Sequence, residues 1–399
     1  MAPSRIDAAE SCDVFVVGAG LTGLTAAVGF ARAGRRVVCA GAAERLGQGR
    51  TVALLGPSVD FLDELGVWPA VEPRAAAMRG LRIVDDTGAL FASAPVEFRA
   101  CEIGRDVFGW NIENAALADA LEASAAAHLN LVRLTANVAA FDFAPERTAV
   151  TLADGRVFVA ALVVGADGRA SPSRRAAGIA PAVRRYPQSA LTVFVAHVRR
   201  HDDFSTEFHT RQGPFTLVPL PAAPGALNRS SLVWAMSEAE AKRRGALDHL
   251  ALAAEIERQA RSLLGAMRIE GERGIFPLAR QSVSRIVATR LALVGDAAHA
   301  FPPIGAQGLN LGLRDVKGLI AATLAGDDIG ADAALDAYAR SRAADVLFRT
   351  AAVAGLNRSL RVDCAPVDLA RGLGLAALGA IPPLKRLAMR EGVAPLFAG

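Results

Sequence analysis

Close to its start the chain carries Asp13-Val14-Phe15-Val16-Val17-Gly18-Ala19-Gly20-Leu21-Thr22-Gly23. The apolar, largely β-branched run before the first glycine predicts a buried parallel strand. Residues 21–33 are then predicted as a helix that ends at Gly34, and residues 37–40 as the next strand. A strand–turn–helix–strand unit of this kind is the context in which three spaced glycines bind the pyrophosphate of a dinucleotide.

Each glycine of this turn has its own task. The first makes the sharp turn, the second lets the backbone approach the phosphates, and the third lets the helix pack on the strand. The start of the helix adds free N–H groups and a partial positive charge. We therefore predict that the pyrophosphate is bound by Gly18, Ala19, Gly20, Thr22 and Gly23.

The segment after the second strand departs from the usual pattern. An acidic residue about 20 positions beyond the glycines normally binds a ribose hydroxyl. Here the strand ends in Cys39-Ala40-Gly41. Glu44 is one substitute for the acid, and an ordinary solvated carboxylate is the other interpretation of it. Arg50 and Thr51 are predicted to reach the pyrophosphate instead.

A late segment supplies the second half of the predicted site. Residues 290–294 are predicted as a core strand that delivers Asp296 to its carboxyl end, where a carboxylate can accept hydrogen bonds from a ribityl chain. The helix predicted at 308–324 begins where N–H groups can face the pyrimidine edge of a flavin. His299 is either a catalytic base or a packed core histidine. The predicted flavin contacts are Gly295, Asp296, Pro303, Gly305, Ala306, Gln307, Gly308, Leu309 and Asn310.

Composition excludes several classes of protein. The 399 residues are 52% hydrophobic and carry a formal net charge of +4, which predicts two joined domains with a large core. No basic tail is present, so nucleic acid is not expected as a partner. The four cysteines lie far apart without a CxxC pair, which predicts no metal site and no disulfide framework, and fits a reducing cytoplasm. Residues 14–31 are uncharged, but glycines interrupt them and acids precede them, so no transmembrane span is predicted.

Together these segments carry a family resemblance over nearly the whole chain. It resembles the class A FAD-dependent aromatic monooxygenases, which share the p-hydroxybenzoate hydroxylase fold, and within them most resembles the ubiquinone-biosynthesis hydroxylase branch. The order Gly305-Ala306, in place of the common Ala-Gly, and Gly41 depart from the family pattern. The strings that carry the likeness are GAGLTG (18–23), RTVAL (50–54), FL (61–62), LGVW (65–68), DGRAS (167–171), PFTLVPL (214–220), VW (233–234), GDAAH (295–299) and GLNLGLRD (308–315).

The resemblance implies a cofactor, a fold and a domain arrangement. FAD is the implied cofactor, and NADH or NADPH the transient electron donor, with Asp167 and the segment that follows it serving both. The implied fold class is α/β, a Rossmann-like FAD-binding domain with an inserted antiparallel-sheet substrate domain and C-terminal helices. We expect FAD-binding residues 1–80, 98–180 and 275–350, substrate-binding residues 81–97 and 181–274, and a C-terminal helical segment 351–399. Asn114, predicted to cap the helix of residues 115–127, joins the cofactor-binding set.

A second set of residues is predicted to line the substrate pocket. The inserted sheet should cover the flavin, so Phe215, Leu217, Pro219 and Trp234 are candidates to line the substrate pocket, with ordinary sheet core as the alternative. No catalytic side chain is assigned. The C-terminal leucines, interspersed with arginine and lysine, either lie on a membrane surface or pack on their own protein.

The leading hypothesis is ring hydroxylation, with O2, of a polyprenylated phenol intermediate of ubiquinone biosynthesis. The alternatives are a hydroxylase of a soluble aromatic or secondary metabolite, and a flavin-binding assembly component with little turnover. We expect a cytoplasmic protein, with peripheral contact to the inner membrane or to a biosynthetic complex left open.

Overall fold

The structure is a computed structural model, and it describes residues 10–42, 50–88, 93–302, 307–361 and 365–393. In chain order the strands are β1 (Glu10–Val17), β2 (Val37–Ala40), β3 (Thr51–Leu55), β4 (Ala75–Met78), β5 (Gly80–Asp85), β6 (Val96–Arg99), β7 (Gly109–Glu113), β8 (Leu131–Leu134), β9 (Val138–Phe143), β10 (Thr148–Leu152), β11 (Val157–Gly165), β12 (Pro181–His197), β13 (Phe204–Thr210), β14 (Gly213–Leu220), β15 (Arg229–Ser237), β16 (Met267–Val283), β17 (Val287–Ala288), β18 (Leu291–Leu293) and β19 (His299–Ala300).

The α-helices are α1 (Leu21–Arg32), α2 (Gly56–Glu64), α3 (Trp68–Val71), α4 (Asn114–Ala127), α5 (Pro172–Ala176), α6 (Glu238–Gly245), α7 (His249–Gln259), α8 (Gln307–Thr323), α9 (Asp332–Arg361), α10 (Ala365–Ala380) and α11 (Pro382–Val393). Short 3₁₀ turns lie at Glu72–Arg74, Ala100–Ile103 and Gly295–Ala297.

A sheet whose central strands are parallel forms the first layer, and its edge strand β17 pairs antiparallel with β18. Its order is β17-β18-β11-β1-β2-β8, with β10 and β9 continuing antiparallel from β11. The apolar run Val14–Val17 makes β1 its central strand because side chains on both faces are buried. The strands β1, β2, β11 and β18 run parallel, so their carboxyl ends meet at one edge. That edge is where open α/β sheets bind ligands.

The predicted first helix is confirmed to within one residue. Gly18 adopts φ +103°, which only glycine adopts readily, and it turns the chain from β1 into α1. Gly34, with φ +79°, ends the helix in the left-handed conformation. The helix is buried almost throughout, because it packs against β1 and lies between α4 and α8.

A second eight-stranded sheet has the order β19-β16-β12-β15-β14-β13-β5-β6. Its neighbours are antiparallel except for the pair β5 and β13. Helices α6 and α7 cover one face of this sheet. The other face looks toward the parallel sheet.

The ends of several strands and helices do not coincide with the predicted boundaries between the domain segments. β16 continues in the second sheet to Val283 rather than stopping at residue 274, and β6 extends it to Arg99. The boundary predicted between residues 350 and 351 falls inside α9, whose single helix runs on to Arg361.

The C-terminal helices cover the edge of the second sheet. Leu375 of α10 and Met389 and Val393 of α11 pack in one apolar cluster with Val96 and Phe98 of β6. α10 ends at Ala380 and α11 begins at Pro382. Within the described ranges, no helix is both long and apolar enough to cross a membrane.

Candidate flavin site

The glycine turn leaves no room for side chains. A Cβ on Gly18 would lie 2.4 Å from the carbonyl oxygen of Ala166, and one on Gly23 would lie 2.0 Å from that of Gly18. Both contacts are with backbone, which cannot move aside. The start of α1 therefore sits directly at the carboxyl ends of β1 and β11. Gly20 is the N-cap and offers no side chain, so the first N–H groups of the helix are open to an anion.

The structure gives a physical reason for the glycine at the position of the usual acid. A Cβ on Gly41 would lie 2.8 Å from the Ala19 nitrogen and 3.1 Å from the Gly18 Cα, so a side chain there would collide with the turn. Arg133 of β8, which the sequence did not single out, donates from Nη1 to the Gly41 oxygen at 2.9 Å. Glu44 lies outside the described residues.

A cavity of about 750 Å³ begins at this turn. It continues between the two sheets and ends against the C-terminal helices. At the turn end it is lined by the predicted residues Gly20, Thr22, Arg50, Thr51, Asn114, Asp296, Gly308 and Leu309. The structure therefore brings residues from four distant segments to one cavity, whose size suits the flavin part of a dinucleotide together with a small substrate.

Two buried amide oxygens point to a ligand in this cavity. Asn111 Oδ1 and Asn114 Oδ1 are buried and have no hydrogen-bond partner among the described residues, although both side chains line the cavity. Leaving a buried acceptor unpaired costs about 1–3 kcal/mol, so a group with donors is expected opposite them. The N3–H of the flavin ring and the hydroxyls of the ribityl chain of FAD are such donors. Asn114 begins α4 rather than capping it, since Glu113 is the N-cap.

Asp167 has a different task from the predicted one. Its Oδ2 accepts hydrogen bonds from the Ser173 backbone nitrogen and hydroxyl, both at 2.8 Å, and its Oδ1 accepts one from Ser171. The carboxylate is therefore used to build the turn before α5, and it is not part of the cavity wall. The neighbouring Arg169 lines the cavity instead, with Nε 3.2 Å from Asp296 Oδ2.

The buried Arg174 connects two predicted segments, the middle motif (residues 167–171) and the late motif (residues 295–310). Arg174 donates from Nη2 to the Arg169 oxygen at 2.7 Å and from Nη1 to the Ala297 oxygen at 2.8 Å. Its neighbour Gln281 donates to the Arg169 oxygen at 3.2 Å. One guanidinium thus holds the backbone carbonyl groups of Arg169 and of Ala297, the residue after Asp296.

A carboxylate with no solvent exposure anchors the late motif. Asp315 Oδ2 accepts a hydrogen bond from the Gly295 nitrogen at 3.0 Å and lies 2.7 Å from His299 Nε2, while its Oδ1 accepts from Arg342 Nε at 2.9 Å. Burial disfavours the ionised form, but His299 and Arg342 outweigh it and hold the pKa of Asp315 below its ordinary value. His299 is thus a buried, paired histidine, and the alternative of a catalytic base is not supported by its position.

The buried ion pairs of Asp315 continue into α9, away from the loop that starts at Gly295, which we call the flavin loop. Asp345 of α9 accepts from Arg342 Nη2 at 2.7 Å and from Arg314 Nε at 2.8 Å. Arg349, on the next turn, donates from Nη2 to the Glu391 oxygen of α11 at 2.9 Å. A chain of buried charges therefore links the flavin loop to the helix that closes the far end of the cavity.

The remaining residues of the late motif divide into three groups. Asn310 fixes β3 to α8, because its Nδ2 donates to the Ala53 oxygen at 2.7 Å and its Oδ1 accepts from the Leu55 nitrogen at 2.9 Å. Gln307 begins α8. Three predicted contacts lie outside the described residues: Pro303, Gly305 and Ala306.

The predicted substrate residues lie on the face of the second sheet that points away from the cavity. Phe215, Leu217 and Trp234 are buried in the core that α6 and α7 cover, so the prediction that they line the pocket is wrong and the alternative of sheet core is right. Pro219 is also buried, and its oxygen accepts from Asn111 Nδ2 at 2.8 Å. The cavity is lined instead by the intervening positions of the same strands, namely Ser205, Glu207, Thr216, Val218 and Val233.

On β14 and β15 these side chains alternate with the predicted ones. The period of two was visible in the sequence, and it separates two faces. It does not say which face a pair of helices will cover. The intervening polar positions were the available signal for the pocket face.

Comparison with known proteins agrees with this geometry. The family model described as "FAD binding domain" matches residues 11–349. The chain belongs to this family. It is 36% identical to the ubiquinone hydroxylase UbiL of Rhodospirillum rubrum, over all of this chain and 93% of that protein. It is 31% identical to the 3-demethoxyubiquinol 3-hydroxylase of Escherichia coli, over 96% of this chain and 98% of that one.

Solved structures share the fold. The p-nitrophenol 4-monooxygenase PnpA of Pseudomonas putida superposes with a TM-score of 0.79 at 20% identity, covering 96% of this chain and 98% of that one. HpxO of Klebsiella pneumoniae, solved with FAD, superposes with a TM-score of 0.76 at 20% identity, covering 96% and 99%. The chain is therefore an FAD-dependent monooxygenase of α/β fold, FAD is its cofactor, and NADH or NADPH is the electron donor typical of the family.

The turn predicts a first test. Gly23→Ala places a Cβ against the Gly18 carbonyl and should separate α1 from β1, so the purified protein should contain less than about a tenth of the FAD of the parent. Gly326→Ala is the matched control, because nothing lies within 4 Å of its Cβ. FAD content is measured from the flavin absorbance of the purified proteins. Full FAD occupancy in Gly23→Ala would contradict this account of the turn.

The buried ion pairs of Asp315 lead to a second testable prediction. Asp315→Asn leaves Arg342 and His299 beside a neutral amide, and breaking such a buried pair costs about 3–5 kcal/mol of unfolding free energy. Glu64→Gln on α2 is the control, because Glu64 pairs with Lys317 of α8 at an exposed position and should cost less than about 1 kcal/mol. Urea denaturation and FAD titration of both variants measure the effects. Equal losses in the two variants would show that Asp315 does not anchor the loop.

Proposed function

We propose that this monooxygenase hydroxylates the aromatic ring of a polyprenylated phenol, an intermediate of ubiquinone biosynthesis. The proposal rests on the named activities of the two relatives that match the chain over nearly its full length. The single structural observation that supports it is the two-ended cavity. One end is lined by residues predicted to bind the flavin, and the other is an apolar compartment.

The apolar compartment is built from two parts of the chain. The second sheet and the segments beside it supply Met78, Leu81, Ile83, Phe98 and Phe108. The C-terminal helices supply Leu378, Ala388, Met389 and Val393. Such a wall can bury an isoprenoid tail and gains free energy with each methylene removed from water, at about 0.8 kcal/mol.

The chemistry divides between cofactor and protein. When bound, FAD supplies the activation of O2 with electrons from NADH or NADPH. The protein positions the flavin ring with Asn111 and Asn114 and binds the phosphates of FAD at the start of α1. The apolar wall excludes water. These tasks require neither a side-chain nucleophile nor a metal ligand set.

Turnover tests the proposal. The purified holoenzyme should oxidise NADH or NADPH faster when 2-geranylphenol is added, and mass spectrometry should find one oxygen atom from isotope-labelled O2 in the product. A soluble aromatic hydroxylase would respond to hydroxybenzoates and not to the prenylated phenol. A flavin that no pyridine nucleotide reduces would favour an assembly component instead. Cells that lack the protein should accumulate a prenylated quinone precursor, and an unchanged quinone profile would contradict the pathway.

The outer surface of the C-terminal helices extends the proposal to a membrane. Leu369 and Leu373 of α10 and Leu384 and Leu387 of α11 are exposed, with Leu373 at 61%. The same two helices line the apolar compartment from inside. We propose that this surface rests on the bilayer that supplies the prenylated substrate, with the exposed arginines of α11 near anionic headgroups.

Vesicle binding tests this surface. The double substitution Leu384→Glu and Leu387→Glu should lower the fraction bound to phosphatidylglycerol vesicles about tenfold, because two apolar contacts become charged. Leu250→Glu on α7 is the control, since Leu250 is 85% exposed but lies away from these helices. Co-sedimentation measures the bound fraction. Parent protein that stays in the supernatant would exclude the membrane surface.

A further inference from the structure

One carboxylate of the cavity belongs to no flavin-binding segment. Among the described residues that line the cavity, the charged ones are Arg50, Arg169, Asp296 and Glu207. The first three lie in the segments assigned to the cofactor. Glu207 lies on β13, in the roof that the second sheet forms.

Two neighbours hold Glu207 in place. His209 Nε2 lies 2.8 Å from its Oε1, and the Thr216 hydroxyl lies 3.4 Å from its Oε2. The side chains of Glu207 and His209 are 13% and 5% exposed. A buried carboxylate is costly unless its lone pairs are used, and a carboxylate has about four acceptor sites. The contacts with His209 and Thr216 leave capacity for a donor from within the cavity.

Register fixes the position of this group. Glu207 pairs with Ile83 of β5 on one side and with Thr216 of β14 on the other, and Thr216 pairs with Val233 of β15. These four side chains form a row across the roof. The preceding residue on the cavity face of β13, Ser205, pairs with Leu81, which lines the apolar compartment together with Ile83. Glu207 thus lies directly beside the apolar compartment.

We propose that Glu207 accepts a hydrogen bond from the ring hydroxyl of the substrate and thereby determines which rings the cavity takes. This inference rests on the proposed function, a phenol with an apolar tail. The tail occupies the compartment from Ile83 toward α11, and the hydroxyl meets the carboxylate beside it. The negative charge also rejects aromatic rings that carry a carboxylate, because two like charges in a cavity of low polarity repel.

The test compares 2-geranylphenol with its methyl ether, 2-geranylanisole, which keeps the tail and lacks the donor. Dissociation constants come from the change that each ligand causes in the flavin absorbance of the holoenzyme. The parent should bind the phenol about tenfold or more tightly than the ether, as expected for a hydrogen bond to a charged acceptor. Glu207→Gln should reduce that preference to less than about threefold, because its amide oxygen is a neutral and weaker acceptor, with the affinity for the ether unchanged within about twofold.

Glu238→Gln is the matched control, since it removes the same charge from an exposed position at the start of α6. It should keep the preference for the phenol. FAD content and thermal unfolding of each variant show whether it is folded. The comparison of the two ligands on the parent protein needs no variant, so a Glu207→Gln chain that does not fold still leaves the proposal open to refutation.

The outcomes separate this inference from the proposed function. Equal binding of phenol and ether by the parent, or a Glu207→Gln variant that keeps the preference, overturns the role of Glu207 even if the phenol is hydroxylated. Failure of both ligands to perturb the flavin, with no stimulated NADH or NADPH oxidation, overturns the proposed function itself, and the role of Glu207 with it.

Discussion

The backbone contact between Gly18 and Ala166 is the constraint on which the site depends. The two residues follow the neighbouring parallel strands β1 and β11, and a Cβ on Gly18 would reach to within 2.4 Å of the Ala166 oxygen. This contact aims the start of α1 at the edge where the strands end. The helix N-terminus, the middle motif and the late motif face one cavity because the three segments meet there.

Local features of the site could be predicted from the sequence, and features that depend on packing could not. The glycine turn could be predicted because the requirement for Gly18, Gly20 and Gly23 arises within one turn and one helix. Asp167 was placed correctly after its strand, but the two serines that follow it satisfy its carboxylate. Hydroxyls so close in sequence were a signal that the carboxylate builds a turn.

The second sheet shows the limit of periodicity. Alternation along β14 separated Phe215 and Leu217 from Thr216, but either set could have faced the cavity. The face that became core is the one covered by α6 and α7, since Ala241 of α6 and Leu252 and Ile256 of α7 pack in the same apolar cluster as Phe215 and Leu217. Polar side chains such as Glu207 are left to face the flavin side. The network from Asp315 through Asp345 to α11 was equally invisible, because its members lie on separate helices whose packing the sequence does not specify.

Two carboxylates that line or adjoin the cavity are held by neighbouring side chains. Asp315 fixes the loop at Gly295 and Glu207 faces the cavity, each with partners that offset its desolvation. The central claim is that distant segments form one flavin site, and titration of the apoprotein with FAD tests it most directly. The account predicts saturation at a single FAD per chain, with the absorbance of a bound flavin. A folded apoprotein that leaves added FAD free in solution would contradict it.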